Sequence, residues 1–103
     1  MQWIKKIFGT EPEPNWKKLV QDGAQIIDVR TNGEFASGHI PGSINIPLQN
    51  IRNNFSRIKK DKQVITCCAS GMRSASARTL LKANGFKEVY NGGSWISLQN
   101  KIS

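Results

Sequence analysis

Val64-Ile65-Thr66-Cys67-Cys68-Ala69-Ser70-Gly71-Met72-Arg73-Ser74 passes from an apolar, β-branched run through two thiols and a loop of small residues into an arginine and a serine. β-Branched residues suit a pleated strand, so a strand is predicted to end at Cys68, with a helix opening near Arg73 and Ser74. The backbone N–H groups of residues 69–73 would then curl around the Cys68 sulfur. A concave run of N–H groups backed by a helix N-terminus stabilises negative charge. A thiol held there is expected to be more acidic than a free one, and the thiolate is the nucleophile. Ala69, Ser70 and Gly71 are small enough for close approach of donors, and Gly71 admits a positive φ. Arg73 adds a planar charge suited to an oxyanion. The same letters also fit a plainer reading, two cysteines packed in a core strand and then a turn.

Outward from this stretch, the segments alternate between strand and helix. On the N-terminal side, Asn15 can cap a helix carrying Trp16, Leu19 and Val20 that Gly23 ends. Ala24 to Val29 is a continuous apolar strand, as in a buried parallel sheet. A helical turn is expected over 33–37 and a short strand over 43–46. Leu48, Ile51, Phe55 and Ile58 recur at helical spacing, with Arg52, Asn53, Asn54 and Arg57 opposite; the basic run 57–62 reads as that helix's C-terminus. On the other side, a helix over 74–84 presents Ala77, Leu80 and Leu81. Gly85 and Phe86 are placed for a Schellman ending. A brief strand over 88–90, a turn over 91–93 and a last helix capped by Ser94 complete the chain. The pattern predicts a three-layer α/β fold, a mostly parallel sheet of about five strands flanked by helices. Asp28 and Cys68 both end predicted strands. In such a sheet those ends form one rim, where ligands bind.

The 103 residues suit one domain. Residues 15–103 form it, and 1–14 are a lead-in. Within that lead-in, Trp3, Ile4, Ile7 and Phe8 share one helical side with Lys5 and Lys6 opposite, followed by the proline-rich 10–14. Residues 1–8 are too short to span a membrane and lack the marks of a signal peptide; packing on their own domain and docking on a membrane surface or partner both stay open. Two adjacent cysteines are not a disulfide framework, and strand neighbours point to opposite faces. A reduced thiol, and hence a reducing compartment such as the cytoplasm, is expected. The net charge of +8 comes from lysines and arginines spread along the chain. They read as a solvated surface that can steer anions, without the motif or aromatic platform of a nucleic-acid binder.

Three segments, taken in order, resemble the rhodanese homology domain in its single-domain form: Ile26-Ile27-Asp28-Val29-Arg30 with Glu34-Phe35, then Gly38-His39-Ile40-Pro41-Gly42-Ser43-Ile44-Asn45-Ile46-Pro47, then Cys68 to Ser74 with Gly85-Phe86 and Gly92-Gly93. The resemblance covers about residues 15–100. It implies a sulfurtransferase without metal or cofactor. Cys68 would take a sulfane sulfur from a small anionic donor as a persulfide and pass it to a thiol, cyanide or protein acceptor. Residues 69–73 (Ala69, Ser70, Gly71, Met72, Arg73) would cradle the thiolate and the leaving oxyanion, with Asp28 and Arg30 as supporting residues. His39 lies in the connecting Gly-His-Ile-Pro-Gly segment and is read as structural. Trp95 is read as packing or pocket wall, and it follows Gly92-Gly93 sooner than the family's usual tryptophan. Ala69 stands where many thiosulfate-using members carry a basic residue, which leaves thiosulfate, polysulfide and persulfide open as donors.

Other functions share these letters. Counted from Cys67, the loop is Cys-X5-Arg, the length used by cysteine-dependent phosphatases and arsenate reductases, although Thr66 stands where they usually carry histidine. A rhodanese fold kept only for binding and a redox pair in which Cys67 resolves Cys68 are the remaining alternatives.

Overall fold

The computed structural model describes residues 13–103. The amphipathic segment 1–8 and most of the lead-in lie outside the described residues. The elements in chain order are α1 (Trp16–Gln21), β1 (Gln25–Asp28), α2 (Asn32–Ala36), β2 (Ile44–Asn45), a 3₁₀ segment (Leu48–Arg57), β3 (Val64–Cys68), α3 (Met72–Ala83), β4 (Val89–Ser94) and α4 (Trp95–Ile102). The strands form one parallel sheet in the order β2-β1-β3-β4. The described residues thus hold a four-stranded sheet where about five strands were expected.

Local sequence accounts for most boundaries. Asn15 Oδ1 accepts the Lys18 N–H at 3.1 Å, and Gly23 leaves α1 at φ 99°. Thr31 and Glu34 form a reciprocal capping box on α2. At the end of α3, Phe86 N–H donates to Leu81 O at 3.1 Å, with Gly85 at φ 94°. This is the Schellman ending, and it buries Phe86.

Two elements differ from the sequence reading. The amphipathic stretch from Leu48 is a 3₁₀ segment broken at Asn54 (φ −128°, ψ 20°). Asn54 Nδ2 donates to Asn50 O at 2.7 Å, a side-chain bond that competes with the helical ladder. Its apolar face is still core, since Ile51 and Ile58 are buried. The second difference is in β4, which runs through the expected turn 91–93 to Ser94, with a register irregularity opposite Thr66–Cys68. A Cβ on Gly92 would come within 2.9 Å of Ile65 Cγ2, Leu98 Cδ2 and Thr66 O. Only a glycine lets the strand lie this close to β3.

Two cores lie on the two faces of the sheet. Ile27, Val29, Val64, Cys68, Ala77, Leu81 and Phe86 belong to the core beneath α3 and the 3₁₀ segment. Trp16, Ile26, Ile65, Cys67 and Leu98 belong to the core beneath α1 and α4. Burying each large side chain contributes about 1.5–3 kcal/mol. All five residues of β3 are buried, so it is the central support from which the site emerges. Among the described residues, no helix is long and apolar enough to cross a membrane.

Candidate active site

β3 ends at Cys68, and the chain turns through 69–71 into α3. Gly71, at φ 103°, is the residue before the first turn of α3. This left-handed conformation lets the loop fold back over the strand end. Ala69, Ser70 and Met72 are exposed, while Gly71 and Arg73 are half-buried. Cys68 is fully buried, and its sulfur accepts the Gly71 N–H at 2.9 Å and the Ser74 N–H at 3.4 Å.

Burial raises the Cys68 thiol, but the Ser74 hydroxyl and the backbone N–H groups of Ser74, Gly71 and Ser70 outweigh it. The net effect holds the thiol below its ordinary value of 9.0. Donors aimed at the anion favour the anion. Cys67 has the opposite setting: burial, then the Asp28 charge, pushes its thiol up to about 12. Cys67 pairs with Asp28 across the β1–β3 ladder, and registered neighbours project from the same face of a sheet. Asp28 and Cys68 therefore share a rim, as expected from their positions, but project to opposite faces.

Asp28 and Arg30 form a buried fork. Arg30 Nε and Nη2 donate to Asp28 Oδ1 and Oδ2 at 3.0 and 2.7 Å. The remaining bonds go to carbonyls, with Arg30 Nη2 on Gly38 O at 2.7 Å and Nη1 on Glu34 O at 3.2 Å. The guanidinium lies 4.7 Å from the centroid of the Trp95 ring. Arg30 is thus engaged in holding the loop after β1, and Trp95 is the wall over it. Asn45 closes the same rim, its Nδ2 donating to Asp28 O and Arg30 O at 3.0 and 2.9 Å. His39 Nδ1 donates to Phe35 O at 2.8 Å, and its ring stacks on Phe35 at 3.7 Å. That geometry braces the loop.

Arg73 does not point into the loop as a free charge. Its Nη1 and Nη2 donate to Glu34 Oε1 and Oε2 at 2.7 and 3.0 Å. Arg73, then the Thr31 N–H, holds the Glu34 carboxyl down to about 2. Glu34, like Asn45, is a residue at the site whose role the sequence reading did not assign. Its capping role was legible in Thr-x-x-Glu, but its partner lies far along the chain.

Ser74, Asn91 and Thr66 also went unassigned. The Ser74 hydroxyl sits 3.4 Å from the Cys68 sulfur and 2.6 Å from Asn91 Oδ1. Asn91 Oδ1 also accepts the Gly93 N–H at 2.9 Å, and its Nδ2 donates to Gly71 O at 3.3 Å. A hydroxyl has one hydrogen to give. With Cys68 protonated, the thiol donates to Ser74, which donates to Asn91. With Cys68 ionised, the hydroxyl can turn to the sulfur while Gly93 keeps Asn91 Oδ1 satisfied. Thr66 Oγ1 fixes the base of this network by donating to Ser74 O at 2.8 Å. Ser74 carried a signal in its position after Arg73, whereas Asn91 read only as a turn residue.

Among the described residues, no three His, Cys, Asp or Glu side chains gather where a metal could bind. The arrangement aims N–H donors at one sulfur, with a helix N-terminus behind it, a setting that favours a thiolate.

Comparison with known proteins gives a consistent picture. The family model for the rhodanese-like domain matches residues 12–94. The protein YqhL of Bacillus subtilis is 44% identical over 68 residues, covering 66% of this chain and 54% of its own length. The thiosulfate sulfurtransferase GlpE of Pseudomonas savastanoi is 32% identical, covering 82% of this chain and 79% of its own length. The crystal structure of reduced CoADR-RHD from Bacillus anthracis superposes with a TM-score of 0.75 at 31% identity, covering 95% of this chain and 18% of that one. The chain spans about half the length of YqhL and a smaller part of CoADR-RHD.

Proposed function

The chain belongs to the rhodanese-like domain family, and from that premise we propose that residues 15–103 form a sulfurtransferase that works through a Cys68 persulfide. The observation that carries this reading is the set of N–H groups converging on one sulfur, from Gly71 at 2.9 Å and Ser74 at 3.4 Å. These donors hold the thiol below its ordinary value, after outweighing burial. Relatives include proteins named thiosulfate sulfurtransferase.

The reaction has two half-reactions. The Cys68 thiolate attacks the outer, sulfane sulfur of a small donor such as thiosulfate, a polysulfide or a persulfide. A new bond forms from Sγ to that sulfur, and the donor's sulfur–sulfur bond breaks, its electron pair leaving with sulfite or a thiolate. An acceptor thiolate, cyanide or a protein thiol then attacks the outer sulfur of the persulfide and restores the Cys68 thiolate. The donor groups at 70, 71 and 74 stabilise the sulfur anion at both ends of the cycle. Asp28, Arg30 and Asn45 keep the rim rigid, so the cradle is formed before the donor arrives.

The Cys-X5-Arg alternative needs a Cys67 thiolate. Cys67 is buried beside Asp28 with its thiol pushed up to about 12, and the loop N–H groups serve the other sulfur. The sulfurtransferase reading is therefore preferred. Steady-state kinetics test it: varying donor at several fixed acceptor concentrations should give parallel double-reciprocal lines, the mark of a covalent intermediate released before the second substrate binds. Intersecting lines, or phosphate-ester hydrolysis without sulfur transfer, would overturn it.

A further inference from the structure

The charges around the cradle are paired off. Arg73 forks onto Glu34 with bonds of 2.7 and 3.0 Å, and Arg30 forks onto Asp28, its closest contact 2.7 Å. Each guanidinium is matched by one carboxylate. The loop residues Ala69, Ser70, Gly71 and Met72 bring no formal charge. The loop also leads into an exposed apolar side chain: Met72, the first residue of α3, is 80% exposed.

This balance bears on the donor. Thiosulfate is a dianion approaching a thiolate, and it releases sulfite, another dianion. An alkyl hydropersulfide, R–S–SH, carries at most one charge on its reacting sulfur and presents an apolar stem. A free guanidinium would favour the dianion over short range, whereas one neutralised by a bidentate carboxylate favours it much less. Resting on the sulfurtransferase reading above, we infer that Glu34 is a specificity residue: by neutralising Arg73 it turns the site away from thiosulfate and toward low-molecular hydropersulfides.

The loading step balances without a further reactant. Cys68–S⁻ attacks the outer sulfur of R–S–SH, the Sγ–S bond forms as the donor's sulfur–sulfur bond breaks, and R–S⁻ leaves with the electron pair. The proton stays on the transferred sulfur, giving Cys68–S–SH. Glu34 touches none of these atoms and acts only through Arg73.

Glu34→Gln is a clean probe, because a glutamine at this position can keep the capping box with Thr31 while the charge on Arg73 is released. The readout is the ratio of second-order loading rates for thiosulfate and a short alkyl hydropersulfide without other charged groups, followed by intact mass. A change in Cys68 nucleophilicity moves both rates together and leaves the ratio fixed. The wild type should favour the hydropersulfide by tenfold or more, and Glu34→Gln should move the ratio toward thiosulfate by about tenfold. Ala69→Lys, which places a cation on the exposed loop without touching Glu34, should move it in the same direction. A wild type that prefers thiosulfate, or a ratio unmoved in Glu34→Gln whatever Ala69→Lys does, overturns the role of Glu34 and leaves the sulfurtransferase reading standing. If neither donor loads any of the three proteins, the sulfurtransferase reading itself fails, and the inference with it.

Discussion

Cys67 and Cys68 are joined by one peptide bond, yet the two faces of β3 give them opposite chemistry. On the α1 and α4 face, Cys67 meets apolar packing and the Asp28 carboxylate, and its thiol is pushed up to about 12. On the α3 face, Cys68 is equally buried from solvent, but N–H groups from Gly71 and Ser74 reach its sulfur. Burial alone opposes ionisation at both. What separates them is whether donors or a carboxylate fill the remaining space. The lesson extends to the two ion pairs. Asp28–Arg30 is buried and holds the rim, while Glu34–Arg73 is part-exposed and meets the mouth of the site.

The largest expected effect removes the charge on the Cys67 side. Asp28→Asn leaves Arg30 as an unpaired buried cation, and should cost about 3–5 kcal/mol, read from the urea midpoint. The same change should lower the Cys67 thiol and speed its alkylation under native conditions. An unchanged midpoint would show that the Asp28 fork does not hold the rim.

A smaller effect is expected where β4 meets β3. Gly92→Ala puts a methyl within 2.9 Å of Ile65, Leu98 and Thr66 O, which should cost about 1–3 kcal/mol of stability with the thiol order of the two cysteines preserved. Ser74→Ala removes the hydroxyl that Cys68 shares with Asn91. Loss of the hydroxyl removes one of the donors that lower the Cys68 thiol, so the thiol should rise and less thiolate should be present at neutral pH. In the pH profile of iodoacetamide reaction, the rate rises with pH as the thiolate forms, and the inflection should move to higher pH in the variant. An unmoved inflection would assign the acidity to the backbone donors only.

The smallest effect is expected from Cys67→Ser, which should change sulfur transfer by less than about threefold, as for a packing residue outside the chemistry. It should also alter the alkaline limb of stability. The folded Cys67 ionises only near 12, against 9.0 ordinarily, so the unfolded chain loses that proton first and stability falls as pH rises between these values. The variant should flatten that fall, and an identical limb would mean that Cys67 is not held protonated.

Much of this was legible in the residues because it is local. The strand ending at Cys68, the Asn15 and Ser94 caps, and the Gly85-Phe86 ending depend on neighbours within a few positions. The Leu48 stretch misled because apolar spacing says which face is buried, not that Asn54 will bond Asn50 and break the helix. The 91–93 segment read as a turn because two glycines suggest one, while the need for glycine came from Ile65 and Leu98 across the sheet. Within the site, the loop around Cys68 follows from sequence order. The contacts of Arg73 with Glu34, and of Ser74 with Asn91, join residues far apart in the chain, and only the fold brings them together.

The most direct test is the location of the transferred sulfur. The reduced wild type, Cys67→Ser and Cys68→Ser are each treated with a polysulfide donor, and intact mass is measured before and after cyanide. One added, cyanide-removable sulfur on the wild type and on Cys67→Ser, with none on Cys68→Ser, is the expected result. Loading of Cys68→Ser, with none on Cys67→Ser, would contradict the assignment of the nucleophile to Cys68.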